Sequence, residues 1–264
     1  MSRAVLLGLV AGVGALLAQE AAPSQAEQDR IVAAMRDYAV EYTSNLPNFI
    51  CQETVSQFEA GRKPKNWHQG DTLTSKLVYN NGREERTLLA VNNKAVAGYN
   101  RGWRRPLTTA GEFGMWLNNI FDPVSEAKFT WSGWDELRGR RIAKFDYAVS
   151  QQHSTLSLSL SDLVKAVVAY HGSVWADPQS GEVWRIQTQA DDIPEKVRTR
   201  STATTIEYDA VPIGAKSYLL PVKAEVLMAT DTNHIRNEMQ FQGYKKFEAE
   251  STITFGDPAE TPKP

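Results

Sequence analysis

The chain has 264 residues, 42% of them hydrophobic and 23% charged, with a formal net charge of −2. That composition describes a folded chain rather than a disordered one, and the near-neutral balance gives no electrostatic case for nucleic-acid binding or for a generally basic membrane-binding surface. A chain of this length buries roughly 70–75% of its unfolded surface, so its core suffices without cross-links; Cys51, the one cysteine, excludes an intramolecular disulfide. Its setting in Phe49-Ile50-Cys51 predicts a small buried hydrophobe rather than a reactive thiol.

Residues 1–18 read as a secretory signal peptide. Arg3 and the amino terminus form a small positive region, residues 4–17 are apolar and uncharged, and Ala18 supplies a small residue at a cleavage position. The apolar run has 14 residues, short of the ~20 that span hydrocarbon. Gln19 stands where a bacterial lipoprotein signal would place cysteine. The expected product is an unlipidated periplasmic or secreted protein with no transmembrane span.

Ser24-Gln25-Ala26-Glu27 then fits a capping box. Ile31, Met35, Tyr38 and Tyr42 follow on one helical stripe, which predicts an amphipathic helix over residues 26–44. It ends before Leu46-Pro47, because the residue before proline resists helical dihedrals. Residues 49–58 read as the first strand and 61–70 as a polar loop. Residues 72–79 and 85–91 form a hairpin across Asn80-Asn81-Gly82, a turn sequence that accepts positive φ at low cost. Asn92-Asn93-Lys94 makes another turn. Residues 98–107 are irregular and basic, with Arg101, Arg104 and Arg105 around Trp103. Residues 112–121 read as a short, unusually apolar helix bearing Phe113, Trp116, Leu117, Ile120 and Phe121.

From residue 127 the pattern is strand after strand: 128–132, 141–149, 155–160, 167–176, 182–190, 204–210, 217–229, 235–241 and 246–255. Turn sequences at 177–181, 212–214 and 231–233 separate several of them. Regular strand spacing with few helices predicts a mainly β (α+β) antiparallel sheet, sandwich or barrel. Within Tyr170 to Gln189, Trp184, Ile186 and Thr188 share one strand face, while Trp175 keeps polar company with Ser173 and Asp177. No composition shift divides residues 26–256 into two domains; residues 257–264 are Pro- and charge-rich and read as a disordered tail.

The hairpin sequence GSVWADPQSGEVWRIQ, the strand over 217–226 and the closing segment RNEMQFQGYKKFEAESTITF, with an N-terminal helix and a mid-chain apolar helix, resemble the LolA-like lipoprotein-carrier superfamily. The resemblance implies one highly curved antiparallel sheet, a half-barrel whose apolar face is covered by helices, over about residues 26–256. Leu46-Pro47-Asn48-Phe49-Ile50-Cys51 is also similar to a segment of a group of secreted bacterial proteins with no activity to carry over.

Catalytic signatures are missing from the sequence. There is no Gly-x-Ser-x-Gly elbow, no His-Glu-x-x-His or paired Cys/His spacing, and no Gly-rich phosphate loop; His68, His153, His171 and His234 are scattered. His234 and Glu238 lie about 13 Å apart on a strand, too far for joint metal ligation at ~3.3 Å per residue. His68 with Asp71, and Asp191 with Asp192, read as ordinary loop and turn residues. No cofactor and no catalytic or metal-binding residue is expected. Seven tryptophans are the stronger signal. A hydrophobic ligand, a lipid or lipoprotein acyl chain, would meet Trp103, Phe113, Trp116, Ile120, Trp131, Trp184 and Ile186, with residues 112–121 as a lid. Arg101, Arg104 and Arg105 would contact a headgroup or a protein partner, since arginine suits bidentate contacts and aromatic stacking. Three functions remain open: an exported carrier or sensor of a hydrophobic ligand, a non-enzymatic envelope interaction module with a filled core, and a hydrolase with a dispersed site at His68 or His171.

Overall fold

The computed structural model of the chain describes residues 21–96, 111–161 and 164–247. The expected signal peptide, the tail at 257–264, Trp103, Arg101, Arg104 and Arg105 lie outside the described residues, as does all but the start of the strand expected over 246–255.

Helix α1 (Gln25–Asn45) opens on the expected N-cap, the Glu27 backbone N–H donating to Ser24 Oγ at 3.3 Å, while the Glu27 carboxylate accepts from Arg30. It buries Ile31, Met35, Ala39 and Tyr42 along one face. Strands β1 (Phe49–Gly61), β2 (His68–Asn80), β3 (Arg83–Val91) and β4 (Lys94–Ala95) form a meander. Helix α2 (Met115–Phe121) follows. Then come β5 (Lys128–Leu137), β6 (Arg140–Val149), β7 (Ser157–Ser161), β8 (Val164–Val167), β9 (Ala169–Ala176), β10 (Val183–Asp191), β11 (Thr199–Ile213), β12 (Lys216–Thr230) and β13 (Asn233–Lys246).

Eleven strands make one antiparallel sheet in the order β4-β3-β2-β1-β13-β12-β11-β10-β9-β6-β5. The sheet does not close: β4 and β5 are its two edges. The pairing of β1 with β13 joins the N-terminal four-strand meander to the seven later strands of the sheet. Strands β7 and β8 form a separate small hairpin; beside it Val168, Val197 and Ala190 gather a second apolar cluster.

The tight β9–β10 hairpin expected at Tyr170 to Gln189 is present, with Asp177 Oδ1 accepting from the backbone N–H groups of Gln179 and Ser180 at 2.8 and 3.0 Å. Gly181 has φ +73°, and a Cβ there would run into the α1 backbone at Ala34. The turn therefore needs glycine twice over, for its dihedral and for the helix that rests on it.

Four local expectations shift. The helix expected over 112–121 begins only at Met115, because Gly111 and Gly114 hold φ of +119° and +125°. The strands bordering the loop expected over 61–70 reach Gly61 and restart at His68. The strand expected over 128–132 runs on to Leu137 through a bulge between Trp131 and Gly133, where Gly133 has φ +141°. The strand expected over 167–176 is two, interrupted at Val168, whose N–H turns to the Leu156 carbonyl at 3.0 Å. No helix among the described residues is long and apolar enough to cross a membrane.

Candidate functional site

Alternation along each strand divides the sheet into a face covered by both helices and an outer face. The covered face is where most of the expected ligand-binding residues converge. The seven residues of α2 carry no charge, and Trp116, Leu117, Ile120 and Phe121 are buried. Phe113, just before the helix, meets Phe49 at 5.3 Å, Phe241 at 5.4 Å and Tyr79 at 6.1 Å between ring centroids. Trp116 stands edge-on to Tyr170 at 6.1 Å and Phe121 stacks on Phe129 at 5.3 Å. These offset and edge-to-face pairs suit the ring quadrupoles. Phe113, Trp116, Ile120 and Ile186 thus share one core, while Trp131 sits half-buried at its rim against Trp134 and Phe145. Trp184 is buried and carries the Arg140 guanidinium 4.7 Å from its ring centroid.

Polar contacts hold α2 and its approach in place. Tyr170 Oη donates to the Asn119 carbonyl at 2.6 Å, Thr155 Oγ1 donates to Asn119 Oδ1 at 3.0 Å, and Tyr208 Oη donates to the Glu112 carbonyl at 3.1 Å. Arg86 is the hub. Its Nε faces both Glu53 oxygens at 3.0 and 3.2 Å, Nη1 reaches Glu84 at 2.8 Å, and Nη2 reaches Glu112 at 3.2 Å. The side chains of Glu53 and Glu112 are 1% and 0% exposed, so this is a charge cluster inside the fold. Burial raises the Glu53 carboxyl above its ordinary range, with Arg86 pulling the other way. Cys51 is buried as expected, and burial pushes its thiol up to about 12. The sequence reading missed Glu53, Arg86 and Glu112. They are separated by 33 and 26 residues, and no local pattern links them.

The outer face is built differently. Trp175, only 4% exposed, lies on this side in register with Lys144 and Arg185. Both cations cover its ring, at 5.1 and 5.4 Å from the centroid, and its Nε1 donates to Asp135 at 2.8 Å. The groups that cover Trp175 come from other strands, not from Ser173 and Asp177, its polar company in the sequence. Nearby, His171 Nδ1 meets Asp191 at 2.7 Å, an exposed pair. A groove of about 270 Å³ runs over Ala203, Leu227 and Ala229 beneath Pro64 and Trp67. His68 begins β2 on the surface and is not joined to Asp71, whose carboxylate accepts from Asn92 at 2.8 Å. His234 faces the Gly61 carbonyl at 3.1 Å while Glu238 pairs with Arg236 at 3.1 Å, so those two do not converge. No group of three or more potential metal ligands gathers among the described residues.

An open antiparallel sheet with an N-terminal helix and an apolar inserted helix on one face invites comparison with known structures. The chain is similar to LolA superfamily proteins. One from Nitrosomonas europaea shares 9% identity at a TM-score of 0.38, over 86% of this chain and 98% of that one. A Vibrio parahaemolyticus domain assigned to outer membrane lipoprotein sorting shares 9% identity at a TM-score of 0.43, over 85% and 95%. A DUF1329 family protein from Desulfovibrio piger shares 10% identity at a TM-score of 0.34, over 83% and 95%. No family model matches the sequence, and no curated protein matches it.

Proposed function

We propose that this protein is an exported, non-enzymatic carrier or sensor of a hydrophobic ligand, such as an acyl chain, and that the ligand takes the place of α2 on the covered face. One observation carries this reading: the interior is filled by a seven-residue helix without a charged side chain, MWLNNIF. A helix this short forms in water only through its packing, so an apolar chain of similar bulk can replace its contacts. Its approach turns through Gly111 and Gly114 at positive φ, and Trp116 Nε1 is buried there without a hydrogen-bond partner. In this reading the helix is a plug that the ligand displaces.

The test is a reversible lock. Asn119 and Thr155 are hydrogen-bonded through their side chains, so Asn119→Cys with Thr155→Cys, in a Cys51→Ser background, ties α2 to the segment before β7. Binding of a fluorescent fatty acid should disappear on oxidation and return on reduction. Binding that survives the cross-link overturns the displacement of α2, and no binding by the native chain overturns the carrier reading. The filled interior also supports a second reading, an envelope interaction module that holds no ligand. It predicts no lipid from the purified protein by mass spectrometry and one dominant protein partner.

A further inference from the structure

A second cleft, of about 140 Å³, opens beside the β5–β6 hairpin between β10 and β11, at the border of the aromatic interior. Trp184, Tyr208 and Leu137 line it with Arg185, Arg138, Glu136 and Glu207. Two features set it apart. Trp184 is 4% exposed, yet its Nε1 has no acceptor, and the neighbouring Arg185 Nε is equally buried and equally without one. Both side chains line the cleft at a bulge: the register between β10 and β9 slips between Val183 and Arg185, leaving Trp184 unpaired in the ladder. Bulges re-aim side chains in this way. A buried donor left unsatisfied loses the hydrogen bonds it had in water, so two adjacent ones mark a position where an acceptor oxygen belongs.

The charges around the cleft narrow the class of acceptor. Arg185 Nη2 pairs with Glu207 at 3.0 Å, Arg138 pairs with Asp209, and Glu136 completes the lining. The acids and bases on its walls balance, so a full anion gains little there and meets two carboxylates. A neutral group with one acceptor and one donor fits better, its oxygen on the Trp184 and Arg185 N–H groups and its N–H toward Glu136 or Glu207. The volume holds about five non-hydrogen atoms at ~30 Å³ each, the size of one amide with its methyl groups, and Leu137 and the indole supply apolar wall.

We infer that this cleft is a binding site for a secondary amide, whether an N-acetyl group on a sugar or a peptide unit. The site is independent of the carrier reading. The reporter is the indole N–H signal of Trp184 in the ¹⁵N-labelled full chain, assigned by its loss in Trp184→Phe. N-methylacetamide and N-acetylglucosamine should each move it downfield and saturably, while glucose should not. A stronger response to N-acetylglucosamine identifies the sugar as the source, and a stronger response to an N-acetylated dipeptide amide identifies the peptide. Arg185→Lys, which removes the Nε donor and keeps the charge, should weaken binding about tenfold, as loss of a hydrogen bond to a charged group does. An unmoved Trp184 signal with both amides, or an equal shift with acetate, overturns the assignment.

Discussion

The two faces of the sheet solve the burial of tryptophan in opposite ways. On the covered face, aromatic rings are buried by other apolar groups: Phe113 by Phe49, Tyr79 and Phe241, and Trp116 by Tyr170. On the outer face, Trp175 is equally buried but by charged groups, Lys144 and Arg185 across its ring and Asp135 on its N–H. The first arrangement draws on area removed from water, which is large and indifferent to salt. The second rests on cation–π and charge-assisted contacts at a wet surface, smaller and weakened by salt. An interior of the first kind can exchange one apolar occupant for another, whereas the outer arrangement is bound to particular partners.

Four substitutions test this contrast. The largest effect is expected from Phe113→Ala, which should cost about 3–5 kcal/mol by opening a cavity among four rings, read from the denaturant midpoint at unchanged slope. Arg86→Met should follow, at about 3 kcal/mol, because it takes the Arg86 charge away from the buried Glu53 and Glu112 carboxylates; an equally stable variant would mean that the cluster contributes nothing to holding α2. Asp135→Asn should cost about 1–2 kcal/mol through the weakened Trp175 hydrogen bond. Lys144→Ala should cost about 0.5–1 kcal/mol at low salt and less at high salt. A salt-independent Lys144→Ala would erase the distinction between the faces.

Glu53 adds a pH test whose sign is fixed by linkage. Its folded-state carboxyl is raised above the unfolded value of 4.5, burial being the largest cause. The folded state therefore holds this proton more tightly than the unfolded chain. The associated stability is fully present below pH 4.5 and is lost as pH rises through the folded-state value. Glu53→Gln should flatten that part of the stability profile; an unchanged slope above pH 4.5 would show that Glu53 does not carry it.

Much of the fold was legible locally. The stripe of Ile31, Met35, Tyr38 and Tyr42 marked α1, and Asn-Gly and Asp-Pro turns marked hairpins, because helix period and turn dihedrals are properties of a few neighbouring residues. The common facing of Trp184, Ile186 and Thr188 was legible from alternation: all three are buried, and Trp184 and Ile186 share one core. A bulge interrupts the ladder at Trp184, which alternation does not show. The start of α2 was misplaced because two glycines at positive φ override the helical pattern that precedes it. His68 and Asp71, read as ordinary loop residues, lie on β2, where Asp71 is engaged by Asn92 from a turn that no local pattern links to it.

By itself the sequence determined the class of this protein: strands whose alternation demands a sheet with one dry face, a helix to cover it, and an apolar segment placed mid-chain. Those are consequences of local periodicity and of hydrophobic burial. Only the tertiary structure decided that the sheet stays open, that β1 and β13 pair within it, that Arg86 joins Glu53 and Glu112 from distant segments, and that Trp175 lies under two cations. Each of these depends on strand order and register, which are set by contacts between residues far apart in the chain.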